Sequence, residues 1–313
     1  MTYASTDGNL THQARANDCT NCRGHGHLHP SRPHLVKIGA VQLTAVPGRR
    51  DLNLARAERA IRELAAQGAG LVVLPELFSN GYAFEPEFAE PVSGTTVQTL
   101  VQLARSCRTT IVTALHIRDE AGIYRDRALI IGPDGPLAEA DKSYLWGQEV
   151  GSLVPGDWKG AIADTPAGVV GVAVCYEAGF PEMVRDLAVR GAQIIAVPAA
   201  FGRPRLHAWE LMTRSRALEN GCILVAAGLT GDNGRGNEFA GHSRVVGPRG
   251  EVLSGIDRGE GTVLCEVDLD DIEQARTEIP YLRSLELRST HDGGARVPRP
   301  PIDRTDAHEP TRS

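Results

Sequence analysis

Short apolar runs alternate along this chain with longer amphipathic ones. "VKIGAVQL" has the length and texture of a strand, and "GLVVLPE" is apolar throughout up to Pro75. Between them, "DLNLARAERAIRELAAQG" carries a helical period. Leu54, Ala57, Ile61, Leu64 and Ala65 share one face, Asp51 is placed as its N-cap, and Gly68 stops it. A second helix is predicted over 95–107, with Val97, Leu100, Val101 and Ala104 on one side. "TTIVTAL" and "RALIIGPDG" follow as strands, the second closed by a turn. "GVVGVAVC", "AQIIAVP", "CILVAAG", "HSRVVGPRG" and "TVLCEVDL" continue the strand series, with "PEMVRDLAVRG" and "HAWELMTRSRALENG" as helices among them.

Strands that are apolar on both faces need cover on both faces, and the alternating helices supply it. The expected class is therefore an α/β layered domain. No internal repeat and no linker-like break is visible between residues 35 and 288, so one domain is expected, over residues 35–290. Residues 1–34 carry no hydrophobic period and read as a disordered N-terminal extension; residues 291–313, rich in Pro, Arg and Asp, read as a disordered tail.

Composition narrows the function classes. A net charge of -6 without a long basic block argues against nucleic acid as partner. No segment reaches the roughly 18 uninterrupted apolar residues of a membrane span, and the N-terminus lacks the apolar centre of a secretory signal. Cys107, Cys175, Cys222 and Cys265 sit singly, mostly inside apolar runs, which fits reduced thiols in a cytoplasmic protein better than a disulfide framework.

In layered α/β domains reactive groups gather beyond strand ends. Three polar residues follow apolar strands here: Glu76 after "LVVLP", Lys142 in "LAEADKSYLW" and Cys175 after "VVGVAV". Singly, each has a plainer reading, as a loop carboxylate, a surface charge and a small buried apolar residue. Together they make chemical sense. Only a thiolate attacks well, and Lys142 with a helix start at Pro181 would favour it. Glu76 can take the thiol proton and pass it to a leaving amine, while Lys142 and the Tyr176 N–H stabilise an oxyanion.

The ordered set "VVLPELFSNGY", "DKSYLWGQE" and "VCYEAGFPE" resembles the carbon–nitrogen hydrolase (nitrilase) superfamily, over roughly residues 36–288. "RGAQIIAVPAAF", "RSRALENGCILVAAG" and "FAGHSRVVGPRGEVL" support the likeness. The resemblance implies an αββα sandwich that pairs into a homodimer or larger homo-oligomer, with Glu76 as general base, Lys142 as oxyanion lysine and Cys175 as nucleophile. Glu149 matches a second glutamate that holds the lysine and positions substrate. Tyr144 and Glu177 depart from the family pattern, which often has His and Asp there. The expected reaction is hydrolysis of a small aliphatic carboxamide to acid and ammonia through a thioester, without cofactor or metal. The look is closest to the small amidases acting on ω-amino amides and to ω-amidases. Tyr82, Trp146, Tyr176 and Phe201 are candidates for the substrate pocket.

The same site also suits a nitrile or an N-carbamoyl amine. Other classes are open as well. "CTNCRGHGHLH" gathers Cys19, Cys22, His25, His27 and His29, a set that can bind zinc, although it has one C-x-x-C and no apolar flanks. A Cys–His hydrolase would use His116, His207 or His242 as base. A non-catalytic scaffold is disfavoured because every position of the family's catalytic set is filled.

Overall fold

The computed structural model describes residues 34–291. Apart from His34 and His291, the N-terminal extension with its Cys/His cluster and the C-terminal tail lie outside the described residues. The chain first lays down β1 (Leu35–Gln42), α1 (Arg50–Ala66), β2 (Leu71–Glu76), α2 (Thr95–Cys107), β3 (Thr110–Arg118), β4 (Tyr124–Gly132) and β5 (Gly135–Asp141). Next come β6 (Ile162–Thr165), β7 (Gly168–Val172), α3 (Pro181–Val189), β8 (Ile194–Ala199), α4 (Leu206–Asn220) and β9 (Ile223–Gly228). A ribbon of β10 (Thr230–Asp232) and β11 (Glu238–Ala240) precedes β12 (Ser243–Val246) and β13 (Val252–Ile256). The described chain ends with β14 (Gly261–Asp268), α5 (Asp270–Glu278) and α6 (Tyr281–His291).

The strands form two six-stranded sheets, ordered β14-β1-β2-β3-β4-β5 and β13-β12-β9-β8-β7-β6. In the first, β1, β2 and β3 run parallel and the outer pairings are antiparallel. The second repeats the plan with β7, β8 and β9 as its parallel centre. Each sheet is thus a β-α-β-α-β-β-β unit with one antiparallel strand added beside its first strand. The topology is duplicated although no repeat is visible in the sequence, because strand order needs only matching apolar patterns.

Alternation along the strands separates the layers. Ile38, Ala40, Leu71, Val73, Val112 and Ala114 point from the first sheet into a core shared with the second. Val41, Val72, Leu74, Ile111 and Leu115 point the other way, against Leu54, Ala57, Ile61 and Leu64 of α1 and Val97 and Leu100 of α2. Val184 and Leu187 of α3 and Trp209 and Ala217 of α4 cover the second sheet. The result is the expected αββα sandwich. Every residue of β2, β8 and β9 is buried. At about 1.5–3 kcal/mol for each large apolar side chain withdrawn from water, this central packing is the main term holding the layers together.

The start of α1 differs from expectation. Arg49 occupies the N-cap position, no side chain caps the helix, and Asp51 lies in its first turn. There its carboxylate still faces the positive end of the helix dipole. Ala65 is half-buried, and the polar Asn53 takes a core position instead. Its amide ties Val46 and Ser79, donating to Val46 O at 2.8 Å and Ser79 O at 3.1 Å.

Candidate active site

Glu76 reaches the space between the sheets because β2 loses register. Val73 pairs with Val112, but Glu76 pairs with Ala114, so β2 spends one residue more than β3 over that stretch. Pro75 lies there and has no N–H for the ladder. The slip turns Glu76, which simple alternation would aim at the helices, toward the shared core. Leu77 follows with φ 50°, its N–H donating to Ala114 O at 2.8 Å. Gly81, at φ 73°, closes the loop, and a Cβ there would sit 2.6 Å from the Pro47 backbone nitrogen. Only glycine fits.

Lys142 follows the last residue of β5, with its N–H bonded to Asp126 O of β4 at 2.7 Å and its carbonyl accepting from Gly156 N at 2.9 Å. Its fully buried ammonium donates to Glu76 Oε1 at 2.5 Å and Glu149 Oε2 at 2.7 Å. Glu149 sits in a single turn of tight helix over 147–149. Tyr82 OH donates to its Oε1 at 2.8 Å and Trp146 N–H to its Oε2 at 2.9 Å. The second oxygen of Glu76 accepts the Ala200 N–H at 2.7 Å, just past the end of β8.

Cys175 belongs to the other sheet. β7 ends at Val172, and the thiol opens a tight turn over 175–179 rather than closing the strand. Its φ is 48°, the left-handed region, which costs an L-residue of this kind about 1–2 kcal/mol. Glu177 holds the turn in place. Its carboxylate accepts Val174 N–H at 2.9 Å and Ser143 N–H at 2.6 Å, so one side chain ties the residue before the thiol to the residue after the lysine. Burial pushes Glu177 up to about 7, against the pull of those amides.

The electrostatics overturn one expectation. Burial and the Glu76 carboxylate drive the Cys175 thiol well above its ordinary pKa, and Lys142 and the Ala200 N–H only partly oppose them. Lys142 cannot favour a thiolate because its charge is already committed. Burial works against the ammonium, yet Glu76 and Glu149 hold it well above the usual lysine value. The resting sulfur is a thiol, so attack must be coupled to proton removal. Tyr82 is pushed up by burial and Glu149, which keeps its hydroxyl a donor.

Glu76, Lys142, Glu149 and Cys175 are therefore brought together. The sequence reading missed Asp126 of β4, fully buried, with Lys142 Nζ 3.6 Å from its Oδ2. Oxygens of Glu76, Asp126 and Glu149 lie within 4.8 Å of one another, a donor set for a hard cation, but the lysine ammonium already supplies the positive charge among them. His116 packs between Phe84 and Tyr124, His242 lies near Glu210 and Asp257, and His207 is exposed at the start of α4. The groups that bear most on the thiol are Glu76, Lys142 and Glu149.

Of the pocket candidates, Tyr82 and Trp146 line a cavity of about 430 Å³ with Gln148, Ala200, Arg205 and Phe239. Tyr176 and Phe201 are not among its lining residues. Tyr176 packs on Trp146 with ring centroids 4.8 Å apart, and Phe201 packs on Trp209 at 5.2 Å. The Arg205 guanidinium lies over the Trp146 ring, 4.8 Å from its centroid.

A buried thiol, a carboxylate and an ammonium drawn from two sheets to one place are the groups that a thiol hydrolase would need. Known proteins narrow that class. Residues 37–277 match the carbon–nitrogen hydrolase family, and the chain belongs to it. It is 35% identical to omega-amidase NIT2 of Homo sapiens over 244 residues, covering 74% of this chain and 88% of that one. Among solved structures, Saccharomyces cerevisiae Nit3, a member of branch 10 of the nitrilase superfamily, superposes with a TM-score of 0.74 at 29% identity, over 80% of this chain and 96% of that one. An amidase from Nesterenkonia sp. AN1, with the acetamide moiety of fluoroacetamide added covalently at its active-site cysteine, superposes with a TM-score of 0.70. It is 30% identical, over 82% of this chain and 96% of that one.

Proposed function

We propose that Cys175, Glu76, Lys142 and Glu149 carry out a two-stage hydrolysis. The enzyme cleaves a small aliphatic carboxamide to the acid and ammonia. Cys175 Sγ attacks the carboxamide carbon while Glu76 takes the thiol proton. The carbonyl oxygen becomes an oxyanion against Lys142 Nζ and the Tyr176 N–H. Glu76 then gives its proton to the nitrogen, the C–N bond breaks, ammonia leaves and a thioester remains. Water enters and loses a proton to Glu76 as it attacks. The S–C bond breaks, the acid leaves, and Glu76 returns the proton to sulfur. Glu149 binds the lysine and, through Tyr82 and the Trp146 N–H, fixes its direction.

The observation that carries this reading is the buried ammonium shared by two carboxylates beside a strained thiol. Nothing in the geometry favours a nitrile or an N-carbamoyl amine over the amide. The cavity bears on the acyl group. Arg205 has no carboxylate partner among the described residues, whereas Arg203 pairs with Glu238 at 3.0 Å. An unpaired guanidinium suits a far-end carboxylate and opposes the ammonium of an ω-amino amide. The preferred substrate is accordingly the monoamide of a short dicarboxylic acid. A homodimer in the cytoplasm completes the reading. It is supported by exposed Leu211 and Leu218 on α4 and Val252 and Leu253 on β13, and by free thiols at Cys107, Cys175, Cys222 and Cys265.

The test is ammonia release from a neutral amide, a dicarboxylic monoamide, an ω-amino amide, a nitrile and an N-carbamoyl amine. Wild type should favour the monoamide, and Cys175→Ala should release nothing. Arg205→Gln should raise KM for the monoamide about 10- to 100-fold and leave the neutral amide unchanged. Activity in Cys175→Ala would sink the nucleophile assignment. Preference for the ω-amino amide would sink only the assignment of Arg205.

A further inference from the structure

One member of the buried cluster has no task in that cycle. Asp126 sits on β4, and its side chain is wholly buried. Neither carboxylate oxygen has a hydrogen-bond partner. The ammonium of Lys142 is 3.6 Å away and is already bonded to Glu76 and Glu149. Among the described residues, no N–H or O–H points at Asp126 in compensation.

The charge count is uneven: three carboxyl groups surround one ammonium. An ionised carboxylate without a donor in such a place is costly, and a buried acid relieves that cost by keeping a proton. Of the groups facing Asp126, two repel a charge on it, one opposes them, and the others are neutral. Glu76 from β2 and Glu149 from the loop after β5 repel a charge on it, and Lys142 opposes them only in part. His116, its register partner on β3, is lowered by burial to about 4 and is uncharged. Tyr82 keeps its proton and gives its hydrogen bond to Glu149. Once protonated, Asp126 is a donor, and one of its oxygens lies within 4.8 Å of one of Glu76.

We propose that Asp126 is a positioning residue for the amide hydrolysis: it stands protonated in the resting enzyme and donates that proton in a hydrogen bond to Glu76. The inference rests on reading Glu76 as the base. With this donor, Lys142 and the Ala200 N–H, three donors orient Glu76 toward the thiol proton. The Asp126 proton stays on Asp126 throughout; the proton that shuttles is the one from sulfur. When Asp126 ionises at high pH, Glu76 loses a donor and the thiol gains another negative neighbour, so the rate falls with that ionisation.

Asparagine has the same shape and a donor that cannot ionise. Asp126→Asn should therefore keep kcat/KM within about threefold of wild type and move the alkaline limb of the pH–rate profile upward. Asp126→Ala should lose about 10- to 100-fold. The second readout is infrared absorption at about pH 8.5, where Glu177 is ionised. Wild type should show the carbonyl stretch of an un-ionised carboxylic acid, and Asp126→Asn should lack it. Absence of that band in wild type overturns the proposal, as does an asparagine variant as impaired as the alanine one, or an alanine variant equal to wild type. The band does not depend on turnover. If Cys175→Ala were active, the catalytic reading would fall while the protonation of Asp126 was still decided by the spectrum.

Discussion

Replacing Lys142 by methionine keeps most of the side-chain volume and deletes the ammonium. At an effective dielectric constant of about 20, the contacts of 2.5 and 2.7 Å each correspond to about 6 kcal/mol of attraction. Desolvation offsets much of this, and removing one partner from a buried pair costs about 3–5 kcal/mol. Lys142→Met should lose that much stability at about pH 8, because Glu76 and Glu149 stay buried without a countercharge. Lowering the pH to about 5.5 lets Glu149, which burial raises, take up a proton, and the loss should shrink below about 2 kcal/mol. Wild type should show no such recovery from Lys142 itself. Its folded pKa is raised above 10.5, so its contribution is fully present below that value and fades only as pH rises through the higher one. Urea unfolding of wild type, Lys142→Met and the double variant Lys142→Met/Glu149→Gln at both pH values is the assay. The double variant should recover part of the loss at pH 8. A loss of equal size at both pH values, unrelieved by the second change, would mean that the cost is packing and that the charge argument is wrong.

Two further outcomes follow from the turn that carries the thiol. Glu177 is raised to about 7 in the folded state, so between about 4.5 and 7 that state keeps a proton the unfolded chain has released. Stability should fall by about 3 kcal/mol as pH rises through that window, and Glu177→Gln should remove this slope. Parallel stability–pH curves would refute it. Cys175→Gly and Cys175→Ala should both be inactive, but the glycine variant should be about 1 kcal/mol the more stable, since glycine adopts φ 48° without strain. Equal unfolding midpoints would show that the strain is not there.

Most of the layered framework was legible because the central strands are apolar and the covering helices amphipathic. The helix over 95–107 has the bounds read from its period, and Pro181 opens α3 as its fixed φ favours. What escaped is where local texture is weak. β13 is an edge strand with Val252 and Leu253 exposed, and β10 and β11 are three residues each, too short for any period to show. α5 carries Asp270, Asp271 and Glu273 in its first turn and buries only Ile272 and Ala275, so its helical period is too weak to show in the sequence. In the site, Glu76 and Cys175 each follow an apolar run and Lys142 follows the stretch "LAEAD", so all three could be found. Asp126 could not, because "YRDR" is a charged strand start whose burial is decided by β5 folding back beside it. The thiolate expectation failed for a related reason. It counted Lys142 as free positive charge, and the number of carboxylates around an ammonium is a tertiary fact.

The first and last described strands lie in the same sheet: β1 is paired along its full length by β14, which follows the whole second sheet in sequence, so that Leu35 meets Asp268 and Gln42 meets Gly261. Synthesis from the N-terminus therefore leaves the first sheet with an open edge until the final strand emerges. Glu76 and Lys142 belong to this sheet and Cys175 to the other, so neither half brings the three together on its own. A nascent chain that has not yet made β14 displays an unpaired β1 edge, although Glu76, Lys142 and Cys175 have all been made by then.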